Sequence, residues 1–160
     1  MHRYVLALLI VASPFSAFAA ELPKEGSYDY NSCWSGVANT ITFSKTLSAA
    51  SWELTGTNRS NPPGGFSDKT TFRSVGITAS FNGKVTVTNV AEVIDADGDK
   101  RLVHITNVDG KDTSYTVVAG TGKYEGLVMT GTVEQLGPFP TIKDGTFQGC
   151  NHRTGTYKLK

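Results

Sequence analysis

Past its first twenty residues the chain changes character every few positions. Short runs rich in valine, threonine, tyrosine and phenylalanine are punctuated by glycine, asparagine and aspartate. Such punctuation, with period-two alternation between the breaks, is a strand signal. No stretch after the N-terminal one has the apolar spacing of an amphipathic helix. The pattern predicts eight strands, over 27–36, 51–58, 70–80, 84–94, 100–107, 112–118, 125–135 and 144–159, the last broken near Asn151. Two irregular pieces, NRSNPPGGFSD at 58–68, whose Pro-Pro-Gly-Gly cannot continue a strand, and LGPFPTIKDG at 136–145, read as rim loops.

Side-chain alternation assigns faces. Tyr28, Tyr30 and Trp34 share one face of the first strand, Trp52 and Leu54 one face of the second. Leu127, Met129 and Val133 share a face of the seventh, interrupted by Gly131. A two-residue Asp97-Gly98 turn would register one hairpin. It sets Val93 opposite Leu102 and Ala91 opposite His104 on one face, with Glu92 opposite Val103 and Val90 opposite Ile105 on the other. Both faces then carry apolar residues, whereas a sandwich with one wet face alternates more cleanly. Glycines recur inside strands at 36, 56, 76, 126, 131, 149 and 155, as bends and close approaches in a small barrel require. The expected fold is all-β: one domain, residues 20–160, forming an eight-stranded antiparallel up-and-down barrel of calycin-like shape.

The N-terminus changes the compartment. Arg3, the apolar run Tyr4–Ala12 and Ala17-Phe18-Ala19 have the order of a signal peptide with an A-x-A cleavage site. Residues 1–19 are therefore read as a leader, and the mature protein as periplasmic or secreted. The apolar run is too short for a bilayer core of about 30 Å. Removing Arg3 brings the formal charge from +1 to zero. A neutral chain without a basic cluster argues against nucleic acid or an anionic membrane surface as partner. Membrane insertion as a barrel is disfavoured too: Arg73, Lys84 and Glu92 interrupt the strands, and no aromatic girdle or terminal aromatic residue is present.

Two cysteines, Cys33 and Cys150, lie near opposite ends of the mature chain. Outside the cytoplasm they most simply form one disulfide, tying the first strand to the last. A metal pair or a reactive thiol is the alternative, although no C-x-x-C occurs.

The run GTGKYEGLVMTGTVEQ at 120–135 invites a phosphate reading and fails it. Gly122-Lys123 is followed by Tyr124, the glycine spacing misses G-x-G-x-x-G by one, and a strand follows where a helix belongs. DADGD at 95–99 invites calcium at Asp95, Asp97 and Asp99, but its glycine comes too early for an EF-hand loop and position 12 is Thr106. A solvated hairpin turn is the plainer reading. No G-x-S-x-G marks a hydrolase, and no cofactor is implied.

Three of these motifs together carry a likeness. GTGKYEGLVMTG entering a late strand, the DADGDK turn and the terminal GTYKL resemble the barrel proteins related to allene oxide cyclase and dirigent proteins, and more closely their exported bacterial branch. The likeness runs from about residue 85 to the end. It implies the barrel; no catalytic residue of the cyclase matches a position here.

A barrel of this size can be filled by side chains or can hold one small ligand. The preferred reading is a non-enzymatic barrel binding a small apolar molecule, or a partner through its rim loops. Tyr30, Trp34, Trp52, Leu54 and His104 are the expected lining, against a plainer reading of Trp34 and Trp52 as core. The alternative is a cyclase-like isomerase acting on a reactive lipid, steered by a buried carboxylate such as Glu53 or Glu92.

Overall fold

The computed structural model describes residues 21–111 and 113–160; the expected leader, residues 1–19, lies outside them. Eight antiparallel strands curl into one barrel-shaped sheet: β1 (Glu25–Ser44), β2 (Leu47–Ser60), β3 (Thr71–Phe81), β4 (Lys84–Ile94), β5 (Lys100–Val108), β6 (Ser114–Gly120), β7 (Leu127–Gln135) and β8 (Thr146–Leu159). A 3₁₀ turn at Gly122–Tyr124 joins β6 to β7. The order around the sheet is β6-β5-β4-β3-β2-β1-β8-β7, so β1 pairs with both β2 and β8. The unladdered seam falls between β6 and β7.

β1 and β2 run well beyond the expected spans and form a ladder down to Ser44 opposite Leu47. Residues 37–50 are poor in buried apolar positions, and Ile41 and Phe43 point to solvent at 72% and 83% exposure. Cross-strand pairing, continued on the other side by β3 from Leu47 opposite Phe81, holds this segment extended. Local composition gave no hint of it.

The β4–β5 register differs from the expected one by one residue. Glu92 faces Leu102, Ala91 faces Val103 and Val90 faces His104. The connection is a five-residue loop, 95–99, rather than a two-residue turn. Asp95 organises it: its Oδ1 accepts from the backbone N–H groups of Asp97 and Asp99, at 2.9 and 3.1 Å. A slip of one residue reverses the facing of every side chain downstream. Val103 is thereby buried completely, while His104 and Glu92 come to the same, outer face.

One end of the barrel is closed. The 61–70 segment does not remain on the rim but folds inward and delivers Phe66 beneath the strands. Phe66 stacks on Tyr157 with ring centroids 4.6 Å apart and meets Tyr28 and Tyr124 at 5.8 and 6.2 Å. Tyr30, Leu127 and Met129 complete this core. The guanidinium of Arg101, 1% exposed, lies 5.0 Å from both the Phe66 and Tyr124 ring centres, and its Nη2 donates to Ser67 Oγ at 2.5 Å. A cation between aromatic faces gains quadrupole attraction that partly offsets its desolvation.

Cys33 and Cys150 are bonded, directly opposite in the β1–β8 ladder, with sulfurs 2.11 Å and Cα atoms 4.1 Å apart. The bond ties the first strand to the last, as expected. It reinforces a pair of hydrogen-bonded strands and leaves the β6–β7 seam untouched. The outer wall is mixed. Exposed Val75, Ile77 and Val90 share it with the ion pairs Arg73–Glu53 at 2.7 Å and Lys100–Glu92 at 3.3 Å.

Candidate functional site

Above the aromatic plug the barrel is hollow. A cavity of about 860 Å³ opens at the end opposite the 61–70 segment. Its walls carry Trp34, Trp52, Leu54, Phe72 and Phe147, and its floor is formed by Tyr30, Asn58, Tyr115, Asn151 and Arg153.

The rings leave space because of what lies opposite them. Trp34 pairs across strands with Gly149, Trp52 with Gly76, Phe72 with Gly56, and Phe147 with Gly36. In each pair the ring lies over the glycine. A Cβ at Gly76 would fall 2.5 Å from Cζ2 of Trp52, and one at Gly149 would fall 2.7 Å from Cζ2 of Trp34. With no side chain beneath it, an aromatic ring can lie along the wall instead of standing into the lumen. Trp52 is further fixed by its Nε1–H, which donates to Thr78 Oγ1 at 3.1 Å, and by an edge-on contact with Phe147.

Polar groups line the lumen at several heights, with the one charged side chain of its described lining at the floor. Asn89 Nδ2 donates to Ser74 Oγ at 2.8 Å, and Ser74 Oγ donates to Val90 O at 3.0 Å. Asn58 Nδ2 donates to Thr70 Oγ1 at 2.8 Å, tying the lumen to the plug segment, while Asn58 Oδ1 is buried without a partner. Arg153 Nε donates to Asn151 Oδ1 at 3.0 Å, and the guanidinium lies over the Tyr115 ring at 4.7 Å. Burial raises the Tyr30 hydroxyl well above its ordinary pKa, so it stays protonated as a donor. Beside this floor a second recess of about 450 Å³ follows the β6–β7 seam, sharing Tyr30, Tyr115, Val133 and Arg153 with the main cavity.

Of the expected lining, Tyr30, Trp34, Trp52 and Leu54 face the lumen. His104 does not. The register slip turns it outward, where its Nε2 meets Thr88 Oγ1 at 3.2 Å. Glu53 and Glu92 also stand on the outer wall, paired with Arg73 and Lys100, so neither is the buried carboxylate expected of them. Arg73 holds the Glu53 carboxyl below its usual range, first through its hydrogen bond and then through its charge. Arg153, Asn58, Phe72 and Phe147 were missed by the sequence reading. The period-two run Phe147, Gly149, Asn151, Arg153 is the signal that could have found part of this set.

The GTGKY run bends backbone and clamps a neighbouring loop. Gly122 has φ +52°, and a Cβ there would collide with the Asp99 carboxylate. Lys123 donates its N–H to Asp99 Oδ2 at 3.1 Å and its Nζ to Asp97 Oδ2 at 2.6 Å. Its Nζ also lies 2.8 Å from Asp95 Oδ2, as an ion contact off the hydrogen-bonding direction. Burial alone would raise the Asp95 carboxyl, but the Lys123 contacts outweigh it and hold the group below its usual range. The lysine ammonium thus occupies the side of DADGD where a cation would sit. Among the described residues no cluster of three or more His, Cys, Asp or Glu is placed to hold a metal ion.

Compared with family models, with curated proteins and with solved structures, the chain matches none.

Proposed function

We propose that this protein is an exported, non-enzymatic carrier or sequestering barrel that takes one small, largely apolar molecule into its lumen. The observation that carries this reading is the hollow itself: an aromatic-walled cavity of about 860 Å³ kept open by glycines beneath the rings. That volume and lining suit a small-molecule site, mostly apolar with a few convergent polar groups. The disulfide and the leader-like N-terminus support an oxidising compartment. The motif likeness to the allene oxide cyclase-related barrels supports the same architecture. The cyclase alternative loses its support, because Glu53 and Glu92 face solvent and no carboxylate of the described residues lines the lumen.

The chain has two tryptophans, and both stand in the cavity wall. Titration with the neutral probe N-phenyl-1-naphthylamine should therefore quench their emission saturably, at one probe per chain. Native mass spectrometry of protein purified from its own host should reveal a bound hydrophobe. Absence of both would overturn the reading.

A further inference from the structure

Resting on that reading, we propose that the ligand is an amphiphile bearing one anionic group, bound head-down with its anion on the Arg153 guanidinium and its apolar body along the tryptophan wall.

Arg153 is the only charged side chain among the described residues that line the main cavity. The adjoining seam recess adds one more charge, Lys111, which is also positive. No carboxylate of the described residues lies within ion-pair distance of Arg153. Its Nε–H is used by Asn151 Oδ1 and its face by Tyr115, so the guanidinium plane is fixed. The two terminal nitrogens make no hydrogen bond among the described residues. A guanidinium held in this way presents a preformed fork to a planar or tetrahedral anion.

The surroundings add to this. Arg101 is buried below the same floor and likewise has no carboxylate partner among the described residues. Arg101, buried without a counter-ion, is a costly charge, and an anion entering above it relieves part of that cost. Asn58 provides an independent pointer. It is 2% exposed, lines the cavity, and its Oδ1 has no partner. Thr70 Oγ1 spends its proton on Ser67 O and so fixes Asn58 Nδ2 as the donor to it. Asn58 Oδ1, enclosed beside the floor, is an acceptor that no donor among the described residues meets. The one charge of the described lining thus lies at the floor, and the aromatic rings stand on the walls above. An occupant matching both is amphiphilic, with its head innermost.

The test compares two probes with nearly the same ring system, one with a sulfonate and one without: 1-anilinonaphthalene-8-sulfonate and N-phenyl-1-naphthylamine. Each is followed by quenching of Trp34 and Trp52 in the folded, oxidised protein. A charge-assisted hydrogen bond contributes about 1.5–3 kcal/mol, so the sulfonate should bind at least about tenfold tighter. Arg153→Gln should abolish the preference for the sulfonate over the neutral probe, while Arg153→Lys keeps part of it. Equal affinity of the two probes for the wild type, which needs no variant to fold, would overturn the anionic head group while leaving luminal binding intact. A preference that survives Arg153→Gln in a variant with wild-type circular dichroism would overturn the role of Arg153. Failure of both probes to bind would overturn luminal binding itself.

Discussion

Trp52 lies flat over Gly76, its ladder partner on β3, close enough that a single added methyl carbon would fall 2.5 Å from the indole. The same relationship repeats at Trp34 and Gly149. It turns residues that would weaken a strand into the means by which bulky rings line a cavity without filling it.

Gly76→Ala should therefore push Trp52 off the wall. Asn89 Cβ would be met at 2.6 Å on the other side, so the strand cannot easily absorb the methyl group. Overpacking of this kind costs about 1–3 kcal/mol. Urea unfolding should register that loss, and quenching by the neutral naphthylamine probe should weaken at least severalfold. Wild-type binding in a correctly folded Gly76→Ala protein would show that the ring position does not govern the lumen.

Lys123→Met should loosen the clamp between the 95–99 loop and the 122–124 turn. Asp95, whose side chain is 7% exposed, would lose its cation. Leaving one member of a buried pair is destabilising, and at this partly exposed site the expected cost is about 1–3 kcal/mol.

The pH profile distinguishes the two proteins further. The Asp95 carboxyl sits below its ordinary value in the folded state, so it contributes stability above the unfolded carboxylate pKa of about 4. That contribution is lost as pH falls through the folded pKa. Thermal unfolding between about pH 5 and 2 should decline less steeply in Lys123→Met than in wild type. Parallel acid limbs would exclude the pair as a source of the slope.

Reduction of Cys33–Cys150, or the double serine variant, should lower stability while sparing the cavity. The residues are 117 apart in sequence, so the chain-entropy treatment gives about 5 kcal/mol as an upper figure. Residual order in the reduced chain lowers the measured cost. Cys33 is exposed on the outer face and Cys150 alone of the pair borders the cavity, so probe affinity at a temperature where the variant stays folded should stay within about twofold of wild type. A variant that is folded but no longer binds would place the bond in the site rather than beside it.

His104→Ala should leave binding of both naphthalene probes unchanged. The side chain stands outside the barrel against Thr88. A severalfold effect on either probe would contradict the observed β4–β5 register.

Much of this architecture was legible beforehand. Tyr28, Tyr30, Trp34, Trp52, Leu54, Leu127 and Met129 were assigned to shared faces by alternation, and those faces turn inward. The eight strands followed from turn chemistry. The β4–β5 hairpin did not, because Asp95-Ala96-Asp97-Gly98-Asp99 contains a plausible two-residue turn inside a longer loop. What selected the longer one was the Asp95 carboxylate bonding its own loop, and Lys123, arriving from 24 residues beyond Asp99. The hairpin ends of β1 and β2 were illegible for a related reason: Asn39, Ser48 and Ala49 have little strand preference of their own and are held by neighbours.

The amino-acid order alone determined the class of fold, the number of strands, the bonded cysteines and the inward set of aromatic residues, because period-two alternation and turn residues act over a few positions. Only the assembled barrel decided that the lumen is hollow, that Phe66 closes one end, and that Arg153 stands as the cationic floor. Those outcomes depend on which residue lies opposite which on the next strand, and a one-residue shift in that pairing, invisible to local pattern, exchanges inside for outside.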